Sequence, residues 1–515
     1  MKMTRFPKTK IKTKIKTKII QSKSRHTQKT RKTRKTQKNL KTPSVNMEKP
    51  FSNGSTRTDV SGVIKLKLVG TPHEIGYAHG YLLKNEIAEM LSMYQFYIPY
   101  KYGRPMTFFI KLACDFYLPI IKKRYPEIYT EMKGIAQGSD VPVHHIVFLN
   151  STLSLDYLYQ NLSSVLQKSS GDIKKKYRNF MRTRESIIRP TPVSSSTSTS
   201  TSSSERCTAF IATGSYTTDG NIVCAHNTNG DYIETQYYNV VAEVHPKTGY
   251  AFTMQMAPGY VFSGSDFFVT SAGIVGTETT IKWFSAYEHR DPIYCRIRRC
   301  MQYGDTLDDY INILLANNSG DYACAWLFGS IKTKEIMALE LGLNYHNIRR
   351  TKDGVYIGVN AAYDPRIRNL ECSQESANEY GDIRTSNWAR HARLTELLQS
   401  QRGKLNMVTS SKILSDHYDT YLKKTNLSAR SICKHCELDD AKESPESNMK
   451  PFMPNGSVDA AVVDATTASQ LSLLFRFGTS CGKAFHKNEF FMNHPQWSEL
   501  FSYVKNRPSQ PWIKI

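Results

Sequence analysis

After the first 60 residues, the spacing of hydrophobic and polar residues changes along the chain. Residues 62–70 read GVIKLKLVG and alternate at period two, which predicts a β-strand. The next segment reads TPHEIGYAHG, with Thr71 as cap and Pro72 at the first helical position, and it predicts a capped helix. Gly76 and Gly80 lie on one face of that helix, where the missing side chains let another backbone approach closely. We expect a strand that leads into a tightly packed helix.

The same patterns divide the chain into four regions. Residues 1–49 form a basic tail, and residues 50–160 carry repeated helical patterns, so the second region should be helix-rich. Residues 161–206 end in PTPVSSSTSTSTSSSER, which offers almost nothing apolar to bury and predicts a flexible linker or the end of a propeptide. Residues 207–515 carry strand patterns in runs, with helical patterns grouped between them, which favours α+β layers over a parallel βαβ array.

Most of the net charge belongs to the tail. The chain carries +24 at pH 7, and residues 1–47 hold 17 Lys and Arg without an acidic residue, which leaves +7 (24 − 17) for the rest. Like-charge repulsion with little apolar surface should keep this tail disordered. Four roles stay open for it: a nuclear or nucleic-acid-binding arm, an organelle transit peptide, an anchor on an anionic membrane surface, and a solvated tail without a separate role.

Composition excludes several classes of protein. A hydrophobic content of 40% with 11% aromatic residues excludes a disordered chain, and ten scattered cysteines are unlike a small disulfide scaffold. We find neither a secretory segment nor an apolar run of about 18 residues, so we expect no signal peptide, no transmembrane segment and an intracellular location by default.

The motif CKHC, Cys433 to Cys436, has zinc-knuckle spacing. Since no second Cys/His pair follows nearby, we expect a loop with two free thiols, and neither a metal nor a cofactor.

The candidate chemistry lies at Cys207. The segment SSSERCTAFIATGSYTTDG places this residue between the Ser/Thr run and a strand-like stretch. A nucleophile that begins a strand can use its own α-amine as general base if the chain is cut just before it. A thiol is partly ionised near neutrality, and an α-amine with a pKa of about 8 can take its proton and return it to the leaving group. The alternative is a buried cysteine that serves as a small hydrophobe.

The segment CTAFIATGSYTTDGNIVCAHNTNGDY resembles the nucleophile segment of the N-terminal-nucleophile (Ntn) hydrolases, with a turn at Asp219-Gly220 and a returning strand. HNT, SGSDFFVTSAGIVGTETTI, NNSGDYACAWLFG and GSVDAAVVDATTASQLSLLFRFGTSCG are similar to its phospholipase B-like branch, a relative of the penicillin acyltransferase-like peptidases. The resemblance covers roughly residues 62–510. It implies a four-layer αββα sandwich, self-cleavage at cysteine, and hydrolysis of a linear amide or an ester. The tail and the Ser/Thr run have no counterpart there, and the signal peptide of lysosomal or secreted members is missing, so family localisation is not carried over.

The resemblance also assigns site residues. Cys207 matches the nucleophile, and His226 and Asn227 match the HNT positions beside it, although a lone histidine is as often a hydrogen-bonded core residue. Asp231 could orient the amine or bind a cationic substrate group, and it could equally form a turn.

Two further residues belong to this predicted catalytic set. Asn318, in NNSGDY, occupies the place of an amide donor toward a developing oxyanion, with Asn317 as the alternative assignment. Arg384, in DIRTSNWAR, could bind a carboxylate or phosphate or be a surface residue. We leave Glu278 out of the set, because a carboxylate in an apolar strand more often satisfies backbone or hydroxyl donors.

The sequence therefore predicts a self-processing hydrolase that forms a thioester at Cys207. Acyl esters of phospholipids or related lipids are the first predicted substrate class. An amidase or acyltransferase on N-acyl amines or peptides is the alternative, since a thiol with an amine base can open either bond. A catalytically idle scaffold with a nucleic-acid-binding tail is the hypothesis from a different class.

Overall fold

The computed structural model of the protein describes residues 51–178, 207–264 and 267–515. The described residues all belong to one folded unit. The predicted disordered tail and the Ser/Thr run lie outside the described residues. Within the described ranges, every helix is too short or too polar to cross a lipid bilayer.

One sheet has nine strands and runs through both halves of the chain. Strand β2 (Val63–Gly70) pairs with β5 (Val240–Pro246) in parallel, and the other neighbours pair antiparallel. The parallel pair joins the strand predicted at residues 62–70 to the second half of the protein. In spatial order the strands are β1 (Thr56–Val60), β2 (Val63–Gly70), β5 (Val240–Pro246), β6 (Phe252–Met256), β7 (Phe267–Thr270), β8 (Ile274–Thr280), β9 (Cys324–Ser330), β10 (Glu335–Leu341) and β11 (His346–Thr351).

A second sheet has six strands and carries the candidate nucleophile segment. Its pairings are antiparallel. A separate pair consists of β13 (Tyr418–Asp419) and β14 (Lys424–Thr425). In spatial order the six strands are β12 (Gly354–Gly358), β3 (Thr208–Gly214), β4 (Gly220–Asp231), β15 (Asn455–Asp464), β16 (Leu474–Phe477) and β17 (Ile513–Lys514).

The helices fall into two groups along the chain. The first group comprises α1 (Pro72–Leu82), α2 (Lys84–Tyr102), α3 (Met106–Leu112), a π-helical turn (Ala113–Tyr117), α4 (Leu118–Arg124), α5 (Pro126–Ser139), α6 (Val143–Gln160), α7 (Leu162–Lys168) and α8 (Gly171–Lys176). The second comprises α9 (Tyr232–Thr235), α10 (Ile293–Tyr303), α11 (Leu307–Leu315), α12 (Pro365–Leu370), α13 (Gln374–Asn378), α14 (Ser386–Ser400), α15 (Met407–Leu414), α16 (Ala465–Ser469), α17 (Lys487–Asn493) and two 3-10 helices (Cys436–Leu438 and Pro495–Leu500).

Three separate apolar cores hold these elements together. The largest lies between helices such as α1, α2 and α6 and one face of the nine-stranded sheet. The second joins the two sheets, with Ile211 and Cys224 from one and Val275 and Leu327 from the other. The third lies between the outer face of the six-stranded sheet and α14 and α15. The fold is therefore α+β, and the arrangement is compatible with the predicted sandwich.

The local predictions around α1 are confirmed. The Thr71 side chain accepts a hydrogen bond from the Glu74 backbone N–H and forms a capping box with that residue. Gly76 and Gly80 face α5 so closely that a Cβ on Gly76 would lie 2.0 Å from the carbonyl oxygen of Glu131. Only hydrogen at these positions allows the two helix backbones to meet.

Two boundaries differ from the sequence prediction. The predicted flexible linker from residue 161 begins with helices α7 and α8, because Leu162 and Leu166 are spaced to bury one helix face. The second difference is the hairpin turn predicted at Asp219-Gly220: Gly220 (φ +71°) is already the first residue of β4 and pairs with Gly214. The whole connection spans residues 215–219 and is longer than a two-residue hairpin.

Candidate active site

Cys207 lies directly before strand β3 and is buried, with 1% of its surface exposed. Thr208 pairs with Asn227 in the antiparallel register. One residue before Thr208 on its strand therefore lies opposite one residue after Asn227, which places Cys207 beside Thr228. Thr228 pairs in turn with Asp459 on β15. Because cross-strand neighbours share a face, the side chains of Cys207, Thr228 and Asp459 form a row across three strands.

This row faces the other sheet. Ala209 and Ala461 lie two residues beyond Cys207 and Asp459 on their strands, and both belong to the core between the sheets. Asp459 is fully buried. Thr228 lies between Cys207 and Asp459, so these two side chains are two strand spacings apart, or about 9–10 Å at about 4.7–4.9 Å per strand.

Arg390 holds the backbone of the nucleophile segment from the opposite side. It lies on α14 and is fully buried. Its Nη1 donates to the carbonyl oxygen of Cys207 at 2.5 Å and to Oγ1 of Thr208 at 2.7 Å. Its Nη2 donates to the side-chain oxygens of Asn360 and Asn387 at 3.2 Å each. The planar guanidinium group thus ties the first residues of β3 to two other segments.

Asn360 connects this network to a small cavity. Its backbone has φ +66°, a left-handed conformation that costs free energy for residues other than glycine. Its Nδ2 donates to the carbonyl oxygen of Thr280 at 3.0 Å. The cavity next to Asn360 is lined by Trp283, Trp388 and Tyr380, among others. The cavity has a volume of about 10 Å³, which is room for about one water molecule, and Cys207 is not among its lining residues.

His226 shares the face of Cys207. It pairs with Ala209 and Ala461, both of the core between the sheets. Its Nδ1 lies 3.5 Å from Oγ1 of Thr228. Burial lowers the pKa of His226 to about 3, with an opposing contribution from the backbone of Glu278. The ring is therefore neutral near pH 7 and is suited to a hydrogen-bonding role rather than to a charged one.

Asn227 and Asp231 face away from the candidate nucleophile. The Asn227 side chain lies on the other face of β4, where Nδ2 donates to the carbonyl oxygens of Leu414 at 2.8 Å and Ile432 at 3.2 Å. Asp231 ends the strand, about 10 Å beyond Thr228 at about 3.3 Å per residue. It accepts hydrogen bonds from the Tyr97 hydroxyl at 2.9 Å and Nδ2 of Asn455 at 2.7 Å. The side chains of Asn227 and Asp231 therefore form contacts that hold different parts of the chain together.

Asn318 and Arg384 are engaged elsewhere. The Asn318 amide donates to the carbonyl oxygen of Gly342 at 2.6 Å and accepts from the Gly320 N–H, so both of its polar atoms bond within the loop region. Arg384 is half-exposed and pairs with Asp382 at 2.6 Å. The structure places Asn360 and Arg390 in the network around Cys207, and catalytic roles for Asn318 and Arg384 stay predictions. Glu278, left out of the predicted set, accepts from the Tyr322 hydroxyl at 2.9 Å.

Sequence reasoning missed Arg390, Asn360 and Asp459. The available signal for Arg390 was its position on a helix between Trp388 and Leu394, where an apolar face predicts burial. A buried arginine needs acceptors, and such a residue is a better candidate than an arginine in a polar turn.

A second cluster of reactive side chains lies on the helix side of the six-stranded sheet. His417, Cys433, His435 and Cys481 bring their ligand atoms to within 4.8 Å of one another. The expectation that CKHC has no partner pair is wrong in three dimensions, because the two additional residues come from other segments of the chain. All ten cysteines are free thiols in this structure.

A short stretch of the chain is similar to part of one acyltransferase. No protein-family model matches the chain. It is 35% identical over 88 residues to the 40 kDa form of acyl-coenzyme A:6-aminopenicillanic-acid-acyltransferase from Emericella nidulans, over 17% of this chain. The match spans about a quarter of that relative, 24% of its length.

Two solved structures of the conjugated bile acid hydrolase from Clostridium perfringens were also compared. A cysteine mutant gives a TM-score of 0.33 at 11% identity and covers 53% of this chain and 89% of that one. An arginine variant gives a TM-score of 0.27 at 8% identity and covers 54% of this chain and 82% of that one. Membership of the phospholipase B-like branch stays a prediction.

Proposed function

We propose that the protein is a self-processing cysteine hydrolase or acyltransferase of the Ntn type, which acts on acyl groups held in amide linkage. The observation that carries the proposal is the placement of Cys207 at the start of β3, with its carbonyl held by Arg390 and its side-chain row ending in Asp459. The three separate cores support the finer proposal of a four-layer αββα sandwich.

The chemistry follows from a cysteine with a free α-amine. The amine takes the thiol proton, and the thiolate attacks the acyl carbonyl carbon to give a tetrahedral oxyanion. As the oxyanion collapses, the carbon–nitrogen bond breaks and the ammonium group returns its proton to the leaving amine. Water, or a second amine, then attacks the thioester and releases the thiol. Arg390 would fix the backbone that carries the amine, and Asp459, two strands away, would act on the amine only through its charge.

Amides are the favoured substrate class. The partial match is to an acyltransferase whose name joins an acyl thioester to an amine, and this chemistry needs an amide-forming or amide-breaking site. Esters of phospholipids, the first class predicted from the sequence, form the second arm of the substrate experiment.

Self-cleavage is the first test. Cleavage between Arg206 and Cys207 should separate residues 1–206 from 207–515, the second fragment beginning with cysteine. Intact mass and amino-terminal sequencing of the purified chain would detect this product. Cys207→Ala should stay uncut, whereas Cys224→Ala, a matched change of a buried thiol on the adjacent strand, should still be cut. A wild-type chain that stays full-length at mildly acidic and neutral pH would contradict the proposal.

The substrate panel is the second test. Processed protein is incubated with N-acyl ethanolamines, acyl amino acids, short peptides and phospholipids, and the released products are identified by mass spectrometry. We expect release from N-acyl amines that disappears in Cys207→Ala. Release from phospholipids alone would transfer the protein to the ester class. A correctly cleaved protein that turns over no member of the panel, but retains DNA through residues 1–49 at low salt, would support the scaffold hypothesis.

A further inference from the structure

We propose that His417, Cys433, His435 and Cys481 form a tetrahedral zinc site that stabilises the helix side of the six-stranded sheet. The inference does not depend on the proposed activity. It rests on four ligand atoms of the right type, which converge from three segments of the described chain to within 4.8 Å of one another.

The distances fit a tetrahedron. Nε2 of His435 lies 3.4 Å from Sγ of Cys433 and 3.5 Å from Sγ of Cys481. Zinc binds sulfur at about 2.3 Å and histidine nitrogen at about 2.0–2.1 Å, so the edge of the tetrahedron between a sulfur and a nitrogen ligand is about 3.5 Å. Two sulfur–nitrogen edges of the cluster already have this length.

Hydrogen bonds outside the cluster hold its segments in register. The Cys433 N–H donates to the carbonyl oxygen of Asp416 at 3.0 Å, which joins the CKHC loop to the segment of His417. Oγ of Ser415 donates to the carbonyl oxygen of Ser480 at 2.7 Å, and Oγ of Ser480 donates to the carbonyl oxygen of Leu414 at 2.7 Å. The ligands therefore lie on a prearranged frame rather than on three independent loops.

The histidines are set up as metal ligands. Nδ1 of His435 lies 2.8 Å from Oε1 of Glu437, the carboxylate–histidine contact that fixes the ring and leaves Nε2 for a metal. Nε2 of His417 is buried and makes no hydrogen bond to any described residue. The two rings lie 5.2 Å apart between centroids. A metal would satisfy the buried nitrogen of His417.

The donor set selects the metal and its role. Two thiolates and two imidazoles suit zinc better than the oxygen-preferring calcium and magnesium ions. Four protein ligands close the coordination sphere and leave no position for substrate, so the site is structural. Binding converts both thiols to thiolates and releases their two protons, which balances the charge of Zn²⁺.

The site is connected to the nucleophile hairpin through Asn227. Its amide donates to the carbonyl oxygens of Leu414 and Ile432, which lie close in sequence to His417 and Cys433. Asn227 pairs with Thr208, the residue after Cys207. The metal would therefore fix the outer support of the strand that begins with the nucleophile.

The test measures metal content of the full chain. Protein purified without chelator is dialysed, and zinc is counted by inductively coupled plasma mass spectrometry. We expect about one zinc ion per chain in the wild type and in Cys436→Ser, a matched change within CKHC but outside the four ligands. Cys481→Ser and His417→Gln should each lower the zinc content at least fivefold and lower the melting temperature. Cobalt exchanged into the wild type should give the intense visible bands of a tetrahedral site with thiolate ligands.

One further measurement on the wild type does not depend on the folding of any variant. Modification of thiols with an organomercurial should release zinc in proportion to the thiols that react. Metal-free protein whose mass is two hydrogens lower and whose peptide map joins Cys433 to Cys481 would overturn the site in favour of a disulfide. Equal zinc content in the wild type and all ligand variants would overturn it as well.

Discussion

Acid should destabilise the protein through buried neutral histidines, of which His79 is the clearest. His79 lies on α1 and is fully buried, and its Nε2 accepts a hydrogen bond from the Gly259 N–H at 2.9 Å. Protonation at Nε2 would abolish that bond. Burial and the charge of Arg298 lower the pKa of His79 to about 3.

The sign and size of the effect follow from this pKa. A histidine in the unfolded chain has a pKa of about 6.5. Below this pH the unfolded chain binds a proton at His79 that the folded chain does not bind, so the free energy of unfolding falls as pH falls. At pH 4, which is about 2.5 pH units below the unfolded pKa, the free energy of unfolding falls by about 1.4 kcal/mol per unit, or by about 3–3.5 kcal/mol. Above pH 6.5 the group has no effect. His226, with a pKa of about 3, should add a similar contribution.

Urea unfolding between pH 7 and pH 4, followed by fluorescence, measures this loss. In His79→Gln a side-chain oxygen can accept the Gly259 N–H without titrating, so the variant should lose about 3 kcal/mol less than the wild type over this range. His73→Gln, an exposed change on the same helix, should keep the wild-type pH dependence. A His79→Gln protein whose stability falls with pH as steeply as that of the wild type would refute the reasoning.

Two further predictions concern packing and the site. Gly76→Ala should lower the free energy of unfolding by more than the ~1–3 kcal/mol that is typical of overpacking, because its Cβ meets the backbone of Glu131. Gly171→Ala has open space around its Cβ and should change this free energy by no more than about 1 kcal/mol. Thermal unfolding measures both. Arg390→Lys should lower turnover of the N-acyl substrate at least tenfold, since one ammonium group cannot replace the fork of donors, and Arg384→Lys should leave turnover unchanged. Equal losses in the two arginine variants would remove Arg390 from the site.

The sequence predicts what depends on neighbouring residues. The cap at Thr71 and the glycine face of α1 both follow from local rules, and the structure confirms them. The alternating strand after Cys207 is also local, and it places the candidate nucleophile at a strand start.

The remainder of the site depends on contacts between distant parts of the chain. Arg390 and Cys207 are 183 residues apart, and no local pattern around either residue indicates the other. Cys481 and His435 are 46 residues apart, beyond the usual spacing of a zinc motif. Asn318 and Arg384 lay in motifs of the right composition, but their polar atoms are engaged in loop contacts that a sequence cannot display.

The central claim is that Cys207 forms the acyl intermediate, and mapping of the acylated residue tests it most directly. Processed protein is mixed with an N-acyl amine that it turns over, quenched in acid within the first turnover, and digested for peptide mass spectrometry at low pH. We predict an added acyl mass on the peptide that begins with Cys207, which is lost in Cys207→Ala and retained in Cys224→Ala. An acyl group on another residue, or full turnover by Cys207→Ala, would contradict the account.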